Sequence, residues 1–339
     1  MKPTTLKDIA HELNISVATV SKALKGYSDV SSSTKKAVLK MAKKMNYIPN
    51  TVAVNLRTQQ TKTLGVIIPA IVHHFFSEVM DGIIKEAKKH GYLVITLQSN
   101  ENYQLEKKQL ILLQQKRVDG ILISLSNDTP NFDHINAILQ KKIPIVMFDK
   151  IAKLVECSKV VIDDKLAAYN AVSYLIEKGY KRIAHFRGSL NPQISIDRFL
   201  GYRKALVDHG IPFDPKLVYI CDNNDDFNDG YNNAKKMLEE HNDIDAVFTI
   251  TDVVAVGILK YLKENDIKIP EDIALFGFSN WFMSSVITPS LSSVTQPGFK
   301  MGKKSTKILI EEIKCINKGI PYSFQTCVLP TSLVIRNSS

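Results

Sequence analysis

Apolar side chains recur at every third or fourth position in the stretch LKDIAHELNISVATVSKALK, which runs from Leu6 to Lys25. This spacing is the period of a helix, and it is interrupted once, at Asn14-Ile15-Ser16. Asn tolerates the left-handed backbone of a tight turn, and Ser16 is a good N-cap for a second helix. The pattern therefore predicts a helix over about Leu6–Leu13, a short turn, and a helix over about Val17–Leu24.

A third amphipathic helix is predicted next, because hydroxyl side chains that can cap a helix lie between Asp29 and Thr34. The apolar face that follows them consists of Val38, Met41, Ala42 and Met45. Two helices joined by a tight turn form a helix-turn-helix, whose second helix enters the major groove of DNA. Residues 1–46 are thus predicted to form an all-α DNA-binding domain.

The distribution of charge favours this interpretation over an ordinary helical hairpin inside another kind of domain. Residues 1–60 contain ten Lys and Arg side chains and three Asp and Glu side chains, a net charge of +7, whereas the whole chain carries +10. Most of the excess positive charge therefore lies in less than a fifth of the chain. Such a concentration is expected where a protein lies against phosphates.

The helical pattern stops at Tyr47-Ile48-Pro49-Asn50. Pro49 restricts Ile48 to extended conformations, so a new element is expected to begin near Asn50. The segment Thr51–Thr58 can form two helical turns, and a helix of that length is marginal without a partner. We expect a hinge helix and linker over residues 47–61.

From Thr63 onward, short apolar runs alternate with longer amphipathic segments, a pattern typical of buried parallel strands and their crossover helices. The predicted strands of the first series are Leu64–Ile68, Leu93–Leu97, Ile121–Ile123, Ile145–Phe148 and Val160–Ile162. A second series begins with a helix near Leu166, and its strands are predicted at Arg182–Phe186, Leu217–Ile220, Ala246–Ile250 and Ile273–Phe276. The two series predict two doubly wound α/β lobes, each binding ligands beyond the carboxyl ends of its strands.

Composition bounds the class of protein. Hydrophobic residues make up 45% and charged residues 23% of the 339 residues, as in a soluble globular protein of two or three domains. There is no run of about eighteen apolar residues and no apolar segment typical of a secretion signal near the N-terminus, so we expect a cytoplasmic protein. The four cysteines are scattered, without a Cys-x-x-Cys pair, and indicate free thiols rather than disulfides or a zinc site.

Motifs for catalysis, for a cofactor or for a metal are absent from the sequence. It contains no G-x-x-x-x-G-K-[ST], no G-x-G-x-x-G and no H-E-x-x-H. The acidic stretch Asp222–Asp226 has the start of a calcium loop, but Phe227 and Asn233 stand where glycine and glutamate are needed. We therefore expect a protein that is not an enzyme and that holds no cofactor or metal.

The order and spacing of these segments resemble those of the lactose-repressor (LacI/GalR) family over essentially the full chain. The residues that carry the resemblance are TLKDIAHELNISVATVSKAL, VSSSTKKAVLKMAKKMNYIPN, TVAVNLRTQQTKTLGVIIP, DGIIKEAKKHGY, KRVDGILI, GYKRIAHFRG, FTITDVVAVGIL, and LFGFSN followed by TPSLSSVTQP. The family implies a DNA-reading head, a hinge helix and a bilobed core over 62–339 that resembles a type I periplasmic binding protein. Its lobes would comprise about 62–162 with 292–329, and about 163–290 with 330–339.

The resemblance also implies a function. The protein would be a DNA-binding transcriptional regulator, by family habit a repressor, whose operator affinity changes when a small polar effector such as a carbohydrate or sugar phosphate binds between the lobes. No apolar heptads follow Val334, which favours a homodimer over a coiled-coil tetramer, and two heads related by a two-fold axis predict a pseudo-palindromic operator. The alternative is a solute-binding sensor whose basic head binds DNA without reading its sequence.

In the head, Val17, Ala18 and Lys22 match the family positions that face base edges. Lys22 can donate to guanine O6 or N7, whereas the two apolar side chains can contact a thymine methyl group. Many relatives have Arg at the position of Lys22, and Lys lacks the bidentate fork of Arg. Phosphate contacts are expected from three hydroxyl side chains, which could alternatively only cap the helix or be solvated: Ser16, Thr19 and Ser21.

In the hinge, Leu56 matches the apolar wedge that the family inserts into the minor groove, where the bent DNA offsets the cost of unstacking a base step. Asn50 and Ala53 match hinge positions along the same groove. The alternative for Leu56 is packing against the core.

For the effector cleft, we select residues that follow a strand or begin a helix: Phe75, Phe76, Asp149, Lys150, Arg198, Asp252 and Ser279, with Trp281 and Gln296 behind them. Aromatic faces can stack on sugars while Asp and Arg side chains bind hydroxyls, although ordinary core packing is the alternative for the two Phe. Arg198 and Asp252 match the family motif best, whereas many relatives have Asp at the position of Ser279. Lys150 suggests a ligand with negative charge.

Overall fold

The computed structural model describes residues 4–47, 60–71, 74–222 and 225–339 of two compact units, Met1–Thr61 and Lys62–Ser339. The predicted hinge helix, with Asn50, Ala53 and Leu56, lies outside the described residues. Among the helices that are described, none is both long and apolar enough to cross a membrane.

The first unit contains the helices α1 (Leu6–Leu13), α2 (Val17–Leu24) and α3 (Ser32–Lys44). The predicted helix-turn-helix is confirmed, because Asn14 ends α1 in the left-handed conformation with a φ of 49°. Ser16 then caps α2 by accepting the backbone N–H of Thr19 at 3.0 Å. The apolar faces of the helices meet in one small core of buried side chains, which consists of Ile9, Ala10, Val20, Ala23, Val30, Val38 and Ala42.

The second unit has eight α-helices among its described residues. They are α4 (His74–Lys89), α5 (Tyr103–Gln115), α6 (Asp133–Leu139), α7 (Asp164–Glu177), α8 (Gln193–Asp208), α9 (Asp226–Glu240), α10 (Asp252–Glu264) and α11 (Gly298–Lys318). The same described residues form twelve strands: β1 (Thr63–Ile68), β2 (Leu93–Gln98), β3 (Gly120–Ile123), β4 (Ile145–Phe148), β5 (Ser158–Ile162), β6 (Ile183–Gly188), β7 (Val218–Cys221), β8 (Ala246–Thr249), β9 (Ala274–Ser279), β10 (Ser292–Thr295), β11 (Thr326–Leu329) and β12 (Ser332–Val334).

The strands form two six-stranded sheets, one for each lobe, as the alternating pattern predicted. The first sheet has the order β11-β5-β4-β3-β1-β2 and is parallel throughout. The second has the order β12-β10-β9-β8-β6-β7, in which β12 alone runs antiparallel to its neighbour. The parallel strands β1, β3 and β4 lie inside the first sheet and are fully or almost fully buried. Because both faces of such strands are covered, their sequences are continuous apolar runs.

The expected assignment of residues 292–329 to the first lobe is wrong at its beginning. β10 pairs with β9 in the second sheet, with Ser292 beside Phe276, and only α11 and β11 return to the first lobe. The sequence SSVT of β10 contains no apolar run that would assign this strand to one sheet or the other. Its buried serines are fixed by tertiary hydrogen bonds, such as that from the Ser293 hydroxyl to Asp252 at 2.6 Å.

The return of α11 to the first lobe depends on two glycines. A Cβ at Gly302 would lie 2.0 Å from the carbonyl oxygen of Val79, and a Cβ at Gly82 would lie 2.2 Å from that of Phe299. Both distances are far below van der Waals contact, so only glycine lets α4 and α11 approach this closely. The first lobe is thereby completed by a segment far along the chain.

Candidate DNA-reading helix and ligand cleft

The exposed face of α2 carries the side chains that the sequence selected for contact with bases. Val17 is 40% exposed although it is apolar, and Ala18 and Lys22 are exposed beside it. Val20 and Ala23 on the opposite face are buried in the three-helix core. A helix with one face buried and the other carrying an exposed valine is suited to the major groove, where apolar contacts read thymine methyl groups.

The three hydroxyl residues of this helix differ in their local roles. Ser16 is exposed, caps α2 and shares a hydrogen bond of 2.8 Å with the Thr19 hydroxyl. Thr19 and Ser21 are partly buried. Capping by Ser16 is therefore established, and the phosphate contacts of all three remain predictions.

In the free protein, Lys22 forms a salt bridge with Asp29, which the sequence pattern did not predict. Its Nζ lies 2.5 Å from the Asp29 carboxylate, and each side chain is about half exposed, at 50% and 51%. The hydrogen bond and the charge of Asp29 raise the pKa of Lys22, and the same bond lowers the pKa of Asp29. The predicted contact of Lys22 with a base edge would therefore require it to exchange Asp29 for that partner.

In the second unit, a cavity of about 370 Å³ lies between the two lobes. All nine side chains that were selected for the cleft line it: Phe75, Phe76, Asp149, Lys150, Arg198, Asp252, Ser279, Trp281 and Gln296. They converge because each follows a strand of a parallel sheet or begins the next helix, and those carboxyl ends meet at one edge of each lobe. The volume is within the range of small-molecule sites.

The positive charge of Lys150 is paired with a carboxylate within the cleft. Its Nζ donates to Glu101 Oε1 at 2.5 Å and to Asn127 Oδ1 at 2.6 Å, and the side chains of Lys150 and Glu101 are only 10% and 13% exposed. Both partners follow the carboxyl ends of strands β2 and β3, so the rule that selected Asp149 could also have found them. Lys150 is thus paired and does not offer an uncompensated positive charge to a ligand.

Arg198 is the most completely fixed side chain of the cleft. Its Nε donates to Asp164 Oδ1 at 2.8 Å, its Nη1 donates to the carbonyl of Ile250 at 2.7 Å, and its guanidinium lies 3.6 Å from the centre of the Phe278 ring. Burial raises the pKa of Asp164 to about 7, and Arg198 opposes that shift. Asp164 begins α7 directly after β5, so the rule that selected the other cleft residues could also have found it, but its pairing with Arg198 depends on the packing of α7 against α8.

Asp252 accepts hydrogen bonds from its own lobe rather than presenting two open oxygens. Its Oδ1 accepts from the Ser293 hydroxyl at 2.6 Å, and its Oδ2 accepts from the backbone N–H of Trp281 at 2.6 Å and from Ser284 at 2.9 Å. Burial raises the pKa of Asp252, whereas these hydrogen bonds lower it. Asp252 therefore positions the loop that carries Trp281.

Ser279 and Gln296 form a polar pair on the second-lobe side of the cavity. The Ser279 hydroxyl donates to Gln296 Oε1 at 2.9 Å, and Ser279 has a φ of 116°. The Gln296 Nε2 is buried and has no hydrogen-bond partner among the described residues. A buried amide donor without a partner at the wall of a cavity is suited to a ligand oxygen, because leaving it unpaired is costly.

Asp149 is the carboxylate of the cleft with the fewest constraints. It is 6% exposed and has a φ of 58°, and the hydrogen bond described for its carboxylate is a long contact of 3.5 Å from the Ser124 hydroxyl. Burial raises its pKa, and the positive charges of Lys150 and Arg198 oppose the shift. Its carboxylate can accept hydrogen bonds from a ligand at the boundary of the two lobes.

Aromatic rings from both lobes contribute apolar surface. Phe75 and Phe76 on α4 pack edge to face with ring centres 5.3 Å apart, and Trp281 packs against Phe282 with ring centres 5.9 Å apart. Phe76 is 5% exposed and belongs to the core of the first lobe, whereas Phe75 is only partly buried. Core packing thus accounts for Phe76, and Phe75 and Trp281 remain available for stacking.

Comparison with known proteins identifies both units. Residues 5–50 match the family described as "Bacterial regulatory proteins, lacI family", and residues 61–325 match "Periplasmic binding proteins and sugar binding domain of LacI family". The chain is 33% identical over 306 residues to catabolite control protein A of Priestia megaterium, with 90% of this chain and 91% of that one covered.

Two further relatives cover the whole chain. The transcriptional repressor CytR of Escherichia coli K12 is 33% identical over 335 residues, with 99% of this chain and 96% of CytR covered. The solved complex of the transcriptional regulator CelR with cellobiose has 25% identity and a TM-score of 0.75, with 99% of this chain and 100% of CelR covered.

Proposed function

This chain belongs to the LacI family of bacterial regulatory proteins and is a DNA-binding transcriptional regulator, and we propose that its effector is an uncharged, hydroxyl-rich molecule bound in the cleft. The observation that carries the proposal is the pairing of the two cleft cations. Lys150 is bonded to Glu101, and Arg198 is bonded to Asp164. A neutral carbohydrate or nucleoside meets hydrogen-bonding groups there without displacing either pair.

A sugar phosphate fits the same cavity poorly. The cavity lining contains the carboxylates of Glu101, Asp149, Asp226 and Asp252 against the cations of Lys150 and Arg198. An anionic ligand would meet an excess of negative charge in a low-dielectric site, which is unfavourable. The expectation of a negatively charged ligand considered the cation of Lys150 without its partner Glu101.

The groups left for the effector are divided between the lobes. Asp149 and Phe75 belong to the first lobe, and Trp281 belongs to the second, with Gln296 at the crossing after β10. A ligand that contacts both lobes favours the arrangement in which both sets of contacts are made, and this can change the affinity for DNA. By linkage, DNA changes the effector affinity by the same factor.

The state of assembly and the target follow from the helix-turn-helix. We propose a homodimer, because two such heads read the two half-sites of a pseudo-palindromic operator. We propose that the protein works in the cytoplasm of a bacterium, where its DNA target lies. The described relatives are regulators, and we propose that the effector is sensed and not converted.

The experiment that tests this function is a selection of bound sequences from random duplexes by the full chain. It is run without additions and with separate pools of neutral sugars, nucleosides and sugar phosphates. A palindrome whose recovery changes with a neutral pool supports the proposal, and a response to the phosphate pool alone overturns the ligand assignment. If no sequence is enriched in any condition, the alternative of a solute sensor with a non-specific basic head is preferred.

A further inference from the structure

All strands of the first sheet run parallel, so their first residues lie along one edge. The register places Thr63 beside Leu93 and Leu64 beside Gly120, and the carbonyl of Lys62 accepts the N–H of Leu93 at 2.8 Å. The crossover helices return to the same edge, because each leads to the beginning of a parallel strand. The last turn of each helix and the loop after it therefore lie at this edge.

This edge carries eight basic side chains, which we call the basic edge: Lys62, Lys88, Lys89, Lys116, Arg117, Lys141, Lys142 and Lys318. All eight are exposed. The acidic residues in the same segments are Glu86, Asp119 and Glu156. Glu86 lies 3.2 Å from Lys89 and 3.4 Å from His90, and Asp119 accepts the backbone N–H of Lys62 at 3.0 Å. The edge thus has a clear excess of positive charge.

Helix geometry alone does not account for this excess. Lysine is favoured at any helix C-terminus by the helix dipole, and that preference applies equally to both lobes. The corresponding segments of the second sheet contain six basic residues, Lys178, Lys181, Arg182, Lys216, Lys263 and Lys268. They contain eleven acidic ones, Glu177, Asp208, Asp214, Glu239, Glu240, Asp243, Asp245, Glu264, Asp266, Glu271 and Asp272. The same position in the fold is therefore basic in one lobe and acidic in the other.

The polypeptide enters the second unit at the basic edge, since Lys62 is its first residue and directly precedes β1. We propose that the basic edge binds the phosphate backbone of the duplex that the helix-turn-helix holds. The fourteen residues from Ile48 to Thr61 span at most about 50 Å even when fully extended, so a duplex held by the helix-turn-helix is tethered to the chain that begins at this edge. Such tethering gives a high effective concentration of phosphates, whereas an acidic protein partner would have to be recruited from solution.

The proposed contact has a specific thermodynamic signature. Lysines that bind phosphates release condensed counterions, and each contact adds about 0.9 to the slope of log K against log salt concentration. The contact would strengthen binding to all sequences and would not select among bases. The inference depends on DNA binding by the helix-turn-helix and not on the identity of the effector.

The test compares two full-length variants with the same loss of charge. The first replaces four lysines of the basic edge: Lys88→Gln, Lys116→Gln, Lys142→Gln and Lys318→Gln. The matched control replaces four exposed lysines of the second lobe: Lys181→Gln, Lys216→Gln, Lys235→Gln and Lys268→Gln. Affinity for a mixed-sequence duplex of about 40 base pairs is measured over a series of salt concentrations, and thermal unfolding is measured for both.

The basic-edge variant loses four lysines in each chain of the proposed dimer, so we expect its salt slope to fall by about 3 to 7, with the control close to the unmodified chain. Equal slopes for the two variants would overturn the proposal. If the unmodified chain failed to bind the duplex at all, the fault would lie with the helix-turn-helix, and the inference would fall with it. If no effector pool changed DNA binding but the two variants still differed in salt slope as expected, the result would count only against the proposed effector.

A second measurement keeps the test independent of variant stability. A photo-reactive side chain is introduced as Lys116→p-benzoylphenylalanine in one chain and as Lys216→p-benzoylphenylalanine in another. Both positions are exposed, and each lies in a connection between a helix and the next strand of its own sheet. Crosslinking to a labelled duplex is expected from position 116 and not from position 216, and the same low yield from both positions would refute the contact.

Discussion

The Nε of Arg198 lies 2.8 Å from Oδ1 of Asp164, and both side chains are almost fully buried, at 2% and 7% exposed. A buried pair of this kind contributes little net stability, but removing one partner leaves the other charge without compensation. The pair joins α7 to α8 at the wall of the cleft, so it couples the stability of the second lobe to the geometry of the ligand site.

We expect Asp164→Ala to lower the free energy of unfolding of the second unit by about 3–5 kcal/mol, because Arg198 would keep a buried, uncompensated charge. Urea unfolding can be followed by the fluorescence of Trp281, the single tryptophan of the chain. The control is Asp197→Ala, since Asp197 pairs with the exposed Lys153 at 3.2 Å and such pairs contribute about 1 kcal/mol or less. Similar losses in the free energy of unfolding for the two variants would contradict the assignment of Asp164 as the buried charge partner of Arg198.

Glu312 is expected to make stability depend on pH. Burial raises its pKa to about 7, although the Ser158 hydroxyl donates to it at 2.5 Å. Between an ordinary Glu pKa and about 7, the folded protein keeps a proton that the unfolded chain loses, so the free energy of unfolding falls as pH rises. Above that range the contribution is constant.

Glu312→Gln should therefore stabilise the second unit at pH 8, by about 1 kcal/mol or more, and change it little at pH 4. Urea unfolding at several pH values checks this. Glu311→Gln, which changes the exposed neighbour, is the control. A gain at pH 4 as large as at pH 8 would show that the carboxylate charge is not the cause.

Gln296 is expected to donate to the effector through its unpartnered Nε2. Replacing it, as Gln296→Leu, should weaken effector binding by about 1 kcal/mol, which is about fivefold, because one hydrogen bond is lost. The affinity is measured by titrating Trp281 fluorescence with the neutral compound whose pool changes the recovery of DNA in the selection. Gln140→Ala, at an exposed position of the first lobe, should leave the affinity unchanged. Unaltered affinity in Gln296→Leu would remove Gln296 from the site.

Asp29 is expected to restrain Lys22 in the free protein. Asp29→Asn removes the carboxylate charge that lies 2.5 Å from Lys22 Nζ, so DNA binding should become tighter. Lys22→Ala should weaken operator binding by about 1–3 kcal/mol and relax base preference at one position of each half-site. Binding assays on the selected operator and on a scrambled duplex separate these effects. Weaker binding by Asp29→Asn would show that the pair orients Lys22 for recognition.

Leu56 lies outside the described residues, and its wedge role stays a prediction. Leu56→Ala should reduce affinity for the operator while leaving binding to a scrambled duplex nearly unchanged, because an intercalated side chain acts only where the minor groove opens. Equal losses on the two duplexes would assign Leu56 to packing instead. Thr58→Ala, in the same segment, serves as a comparison.

The sequence by itself determined the elements and the candidate residues of this protein. Periodic apolar positions and the capping residues Asn14 and Ser16 specify the three-helix head locally, because each signal lies within a few residues of the structure that it produces. The alternation of apolar runs with helices specified two lobes, and the ends of the strands specified the cleft, because parallel strands bring those ends to one edge.

Tertiary structure alone decided which groups meet. The partner of Arg198 is Asp164, 34 positions away along the chain, and the partner of Lys150 is Glu101, which is 49 positions away. The strand β10 joined the second sheet because Ser292 and Ser293 found buried hydrogen-bond partners there, which no local pattern indicates. Periodicity records which side of an element is buried, whereas the charge left free at a site depends on contacts between distant segments.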